Sequence, residues 1–229
     1  MRMENTLHLY GSMMSPFVAR VVLVAQSLGL DLKVENIPGG TTSSPEFLAI
    51  NPIGRMPALV HGELWLAEGE VICSYLRNLY PKQDSERDDP AVAARGQLVA
   101  RIVDLYLMAS YIPLIPLRRQ ENPDTNLIKK QLNAFKSGLD TLESVLSPAP
   151  FALGANLGHA DCALAPAIDY LRIMMPHFGI SDLTHSSPKI SQWWAYASER
   201  EPFLTILEQG RASLRVYRKD HGLQPIEGL

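Results

Sequence analysis

Ser15-Pro16-Phe17 is where residue types in this 229-residue chain speak most directly of chemistry. Serine before proline is a natural helix start, because proline suits the first helical turn and serine caps it. A hydroxyl held there, with the helix dipole behind it, can also donate a hydrogen bond to an anion such as a thiolate. A free thiol has a pKa of roughly 8.5, so only a few per cent is ionised at neutral pH. Lowering it by about two units takes roughly 2.7 kcal/mol of preferential anion stabilisation. One charge-assisted hydrogen bond and a helix terminus supply that order of magnitude. Ser12 is a rival hydroxyl, nearer the end of the preceding strand. Spacing alone leaves Ser15 open between plain helix cap and anion donor.

Other positions divide in the same way. Met56-Pro57 marks a strand edge, since proline cannot donate to a ladder, and Arg55 before it is either a solvated cation or a ligand for an anion. Glu68 is a helix-start carboxylate of the kind the dipole favours, followed by Gly69. Asp161 stands three residues after Gly158, the spacing of a capping box, and is read as a structural residue. His159 has no partner at metal-ligand spacing, and Met13 and Met14 line a groove or fill core. No metal site is expected. Cys73 and Cys162 lie far apart inside apolar helical patterns and read as packing residues rather than a disulfide.

The elements that must position these residues change character near residue 82. Leu7–Tyr10 reads as a strand, Pro16–Leu28 as a helix stopped at Gly29, and Leu32–Ile37 as a second strand. Residues from Pro38 through the Thr/Ser cluster read as loop. Ala58–Val60 and Leu64–Leu66 form a hairpin around His61-Gly62-Glu63, and Glu70–Tyr80 is an amphipathic helix ended by Pro81. The order βαβ then ββα predicts a small mixed sheet packed by helices over residues 1–82. Charged residues 83–89 (QDSERDD) read as a linker, and 90–229 as an all-helical domain. Its helices are expected near 90–118, 125–146, 160–176, 188–199 and 203–217. The third is apolar on nearly every side and belongs in the middle of a bundle.

Bulk composition narrows the function classes. Hydrophobic residues make up 46% and charged ones 20%, as in a soluble globular protein. A formal net charge of −3 offers no basic footprint, so no nucleic-acid partner is expected. The charge-free apolar stretch Leu105–Leu117 is too short to span a bilayer and contains two prolines, so no membrane association is expected. The opening residues carry no signal-peptide pattern, and a reducing cytoplasm is the expected compartment.

Four segments resemble the cytosolic glutathione S-transferases: YGSMMSPFVARV after the first strand, NPIGRMPAL before the third, LAEGEVICSYL opening the third helix, and FALGANLGHADCALAP at the central C-terminal helix. The resemblance spans nearly the whole chain. It implies an N-terminal thioredoxin-like domain, a C-terminal helical bundle, glutathione as cosubstrate, a small apolar electrophile and a homodimer. It implies that Ser15 activates the thiol and that Pro57 is cis, freeing the Met56 backbone to pair with the tripeptide, with Arg55 near its glycine carboxylate. Glu68 is implied at the γ-glutamyl amino group. The family's usual serine after this acidic residue is Gly69 here, which leaves only a backbone N–H for the γ-glutamyl carboxylate. Tyr106, Met108, Tyr111 and Ile112 are implied, with Met13 and Met14, in the electrophile pocket. S-P-F is most similar to the tau class and C-P-F is its omega counterpart, whereas Met13-Met14 departs from the zeta class's S-S-C. A zeta-like glutathione-dependent isomerase and a non-catalytic regulatory protein resembling the stringent-starvation proteins remain alternatives.

Overall fold

The computed structural model describes residues 6–84, 86, 89–183, 187–226 and 229. The chain forms two compact units, residues 1–87 with 200–229, and residues 88–199. The first holds a four-stranded sheet of order β2-β1-β3-β4. β1 (Leu7–Tyr10) pairs parallel with β2 (Val34–Glu35) and antiparallel with β3 (Ala58–His61), which pairs antiparallel with β4 (Leu64–Ala67). α1 (Pro16–Ser27) and α3 (Gly69–Leu79) pack against each other, and Leu9, Val21, Leu23, Leu59, Ile72 and Leu76 are buried in this unit's core.

β2 is shorter than the six residues expected. It is an edge strand, and β1 offers it partners only at Leu9 and Tyr10 before the chain turns at Gly11, whose N–H reaches the Glu35 carbonyl at 3.0 Å. The loop expected after Pro38 contains a short helix, α2 (Pro45–Ile50). Ser44 caps it by accepting the Phe47 N–H at 3.1 Å, Pro45 opens it, and the buried Phe47 ring anchors it. Six residues are too few to show a period, so only the cap chemistry announced it.

In the second unit α4 (Pro90–Ile102) runs into a π-helical stretch, Val103–Met108, then α5 (Ala109–Tyr111) and 3₁₀ turns at Ile112–Leu114 and Pro116–Arg119. A single regular helix was expected over 90–118. Pro113 and Pro116 lack the N–H that would continue it, and the Ser110 hydroxyl donates to the Tyr106 carbonyl at 2.5 Å. The run Pro90–Arg119 has the length and mean hydropathy, 1.6, of a bilayer span, but half of that window is buried inside the protein. Against it lie α6 (Thr125–Val145) and α7 (His159–Met174), with α8 (Pro188–Ala197) packed on α6. Cys73 and Cys162 are buried and form no disulfide.

Two segments are organised differently from the domain division expected. α9 (Phe203–Asp220) packs on α1 and groups with the first unit, although the helical domain was expected to run to residue 229. Within the expected linker, Ser85, Arg87 and Asp88 lie outside the described residues. Asp84 and Glu86 are held by Arg77 of α3, which donates to both Asp84 oxygens at 2.9 and 3.1 Å and to Glu86 at 2.9 Å, while Asp89 caps α4 by accepting the Ala91 and Val92 N–H groups.

Asp161 holds the second unit together. Its buried carboxylate accepts the Ala152 N–H at 2.8 Å, the Gly158 N–H at 3.0 Å and the Trp193 indole N–H at 2.7 Å, joining the loop before α7, the start of α7 and α8. Burial pushes its carboxyl up from the usual carboxylate range, and the three donors offset this only in part. Asp161→Ala leaves three buried donors without an acceptor, each costing about 1–3 kcal/mol. The expected result is a fall in Tm of roughly 10 °C, read by thermal denaturation, and a smaller one for Trp193→Phe, which removes a single donor.

Candidate functional site

The turn between β1 and α1 is built tightly. Gly11 is required there, since a Cβ would meet Val18 Cγ2 at 2.6 Å. Ser15 follows at the N-cap of α1 with φ −83° and ψ 121°. Its N–H donates to the Ser12 carbonyl at 2.9 Å and its carbonyl accepts the Val18 and Ala19 N–H groups at 3.1 and 3.0 Å. Its hydroxyl caps nothing. Ser12, in contrast, accepts the Met14 N–H on its hydroxyl at 3.4 Å. α1 therefore opens on an uncommitted hydroxyl, with no acidic residue in its first turn, in a setting suited to an anion. Tyr10, at the end of β1, is pushed up in pKa by burial and then by Glu35, so its phenol stays protonated. Met13 and Met14 are half-buried.

α3 begins beside it. Glu68 has φ 64° and ψ 116°, the one non-glycine with positive φ among the described residues. A backbone in that region costs of order 1–3 kcal/mol and is characteristic of functional positions. Its carboxylate is exposed and caps nothing. Gly69 next to it is buried against α1, and a Cβ there would lie 3.2 Å from the Phe17 carbonyl oxygen. The absent serine hydroxyl thus has a local cause, the close approach of two helix starts. Arg20 of α1, only 1% exposed, reaches Glu70 of α3 at 3.5 Å and reinforces that approach. Sequence reasoning overlooked this pair, because an arginine on the apolar face of a helix has no local signature.

The Met56-Pro57 peptide is cis, as the resemblance implied. Met56 stands just outside the ladder that begins at Ala58, and no hydrogen bond engages its backbone among the described residues. The loop before it is held by Asn51, which is 0% exposed. The Asn51 side chain donates to the Arg55 carbonyl at 2.6 Å and accepts the Ile53 N–H at 3.1 Å. Asn51 was a second omission, although Asn-Pro-x-Gly is a turn signature that marks it. Arg55 itself is exposed.

Ser15, Arg55, Met56, Pro57, Glu68 and Gly69 all belong to the first unit. Tyr106 and Tyr111 belong to the second and differ from each other. Tyr106, on the π-helical stretch, is 50% exposed, and Ile112 is exposed as well. Tyr111 is 0% exposed and packs edge-on against Tyr170, with ring centroids 5.6 Å apart, so it is a core residue rather than a pocket wall. Met108 is likewise buried. His159 is buried at the start of α7, and no metal-ligating cluster occurs among the described residues.

Comparison with known proteins accords with this architecture. Residues 9–86 match the family model of the glutathione S-transferase N-terminal domain, and residues 89–195 match that of the C-terminal domain. Glutathione S-transferase 3 of Zea mays is 28% identical over 208 residues, covering 86% of this chain and 91% of its own. Glutathione S-transferase F10 of Arabidopsis thaliana is 27% identical, covering 80% and 86%. Among solved structures, glutathione transferase F7 of Populus trichocarpa aligns with a TM-score of 0.73 at 25% identity, covering 90% of this chain and 99% of that one. A glutathione S-transferase of Methylobacillus flagellatus, solved with glutathione bound, aligns with a TM-score of 0.74 at 23% identity, covering 88% and 98%, and attests the fold. With both of its units matched in order along most of its length, the chain belongs to the glutathione S-transferase family.

Proposed function

We propose that this enzyme conjugates glutathione to small apolar electrophiles, with the Ser15 hydroxyl stabilising the glutathione thiolate. The observation that carries the reading is the Ser15 hydroxyl itself, which stands at a helix N-terminus yet caps nothing. The thiol proton leaves to solvent, and the thiolate attacks the electrophilic carbon. A C–S bond forms as the leaving group, a halide on an aryl halide, departs with its electron pair. A charge-assisted hydrogen bond of about 1.5–3 kcal/mol and a helix terminus of about 0.3–1 kcal/mol together supply a pKa drop of about two units.

The tripeptide is held by groups that the fold leaves unengaged. The Met56 backbone pairs with the cysteinyl residue, as in strand addition, and recognises a peptide whatever its side chains. Glu68 accepts from the γ-glutamyl amino group, and the Gly69 N–H at the start of α3 meets the γ-glutamyl carboxylate. Arg55 reaches the glycine carboxylate. Met13 and Met14, half-buried in the turn just before Ser15, offer the apolar surface that receives the electrophile. Within the family we read a serine-type enzyme; the S-P-F sequence supports it, while the plant relatives named above carry F or plain numbers rather than a tau, omega or zeta designation. We read it further as a homodimer, as the resemblance implies, and as a protein of a reducing cytoplasm, with which two buried cysteines that form no disulfide accord.

Two measurements test the site. Ser15→Ala is expected to keep glutathione binding within a few-fold and to lower conjugation of a model aryl halide near pH 7 by roughly 20-fold, as the bound thiol pKa returns toward about 8.5. The deficit shrinks as pH rises toward 9, where thiolate forms unaided; equal rates of the two proteins at pH 7 would make Ser15 a helix cap only. Gly69→Ser restores a hydroxyl at the cost of pressing on the Phe17 carbonyl. The hydrogen bond to a charged group outweighs a displacement of a few tenths of an ångström, so glutathione is expected to bind about tenfold more tightly in calorimetry.

A further inference from the structure

We infer that the C-terminal helix positions the thiol-activating turn, and that Gly210 is the residue through which it does so. Gly210 sits in the interior of α9, an 18-residue helix, where glycine costs about 1 kcal/mol relative to alanine. Its φ is not positive, so the backbone makes no demand for glycine. The demand is spatial. A Cβ on Gly210 would lie 3.2 Å from the Met13 carbonyl oxygen, its one close contact beyond the neighbouring backbone of α9 itself. Met13 is two residues before Ser15, inside the turn closed by the bond from the Ser15 N–H to the Ser12 carbonyl. Its carbonyl has no hydrogen-bond partner among the described residues and rests on the helix backbone instead. Ile206, Leu207 and Leu214, one turn either side of Gly210, are buried, and α9 packs on α1. The turn is therefore enclosed by Val18 of α1 under Gly11 and by α9 behind Met13. A segment nearly two hundred residues along the chain sets where the Ser15 hydroxyl stands.

This role rests on the Ser15 reading, and Gly210 acts through Ser15 without touching substrate. Gly210→Ala tests it. Alanine favours the helix, so folding and Tm are expected to be kept, while the added methyl shifts Met13 by a few tenths of an ångström. The ultraviolet thiolate band of bound glutathione is expected to titrate about half a unit higher, with kcat near pH 5.5 lowered about threefold and KM for glutathione within twofold. Ala212→Gly, exposed on the same helix, weakens α9 without touching the turn and is expected to leave the thiol titration unchanged. In a Ser15→Ala background the effect of Gly210→Ala is expected to vanish. A wild-type thiol titration in Gly210→Ala, alongside a raised one in Ser15→Ala, overturns the role of Gly210 alone. A shift that persists without Ser15 overturns the route through it. A Ser15→Ala protein with the wild-type thiol pKa removes the reading on which both stand.

Discussion

The close approach of two helix starts, α1 and α3, is the constraint on which the rest of the first unit depends. Gly69 sits against the Phe17 carbonyl with no room for a relaxed Cβ, and Arg20 and Glu70 bridge the same two helices one turn further in. Each helix terminus carries partial positive charge and unsatisfied N–H groups, so bringing two together concentrates an anion-favouring field at one place. It also has a cost, visible in Glu68, whose backbone is held at φ 64° where the sheet hands over to α3. The sheet, through β3 and β4 against α3, and α9, packed on α1, keep that pair of termini in place.

The second unit uses different physics. Its centre is α7, buried on nearly every side, and its organising group is a single carboxylate with three donors. Burial alone would leave Asp161 costly, and it is retained because the groups it satisfies come from three separate segments. The irregular stretch from Val103 to Arg119 shows the opposite solution, in which prolines and a serine hydroxyl break the ladder and a neighbouring backbone fills the gap. Gly138 of α6 comes so close there that a Cβ would meet the Tyr106 carbonyl at 3.0 Å.

Much of this was legible in the residues. Ser15-Pro16 and Met56-Pro57 act through backbone chemistry that is local, so their positions follow from the chain itself. Periodicity marked α3 and α6 to α9 within a few residues of their observed ends, but not the end of α4, where prolines interrupt the run. What was not legible depends on contacts distant in sequence. α2 is too short for a period, and β2 is cut by the length of its partner. The place of α9 with the first unit, and the burial of Tyr111 against Tyr170, are products of packing that no window along the chain contains. Gly69 looked like a loss at the binding site; the structure gives it a reason in the helix contact.

A crystal structure of the wild-type enzyme with glutathione tests the central claim most directly. The account predicts the Ser15 hydroxyl within hydrogen-bond reach of the glutathione sulfur, about 3.5 Å or less, with the Met56 backbone paired to the cysteinyl residue. A sulfur bound instead by Ser12 or by backbone N–H groups alone, with the Ser15 hydroxyl turned back to cap α1, would contradict it.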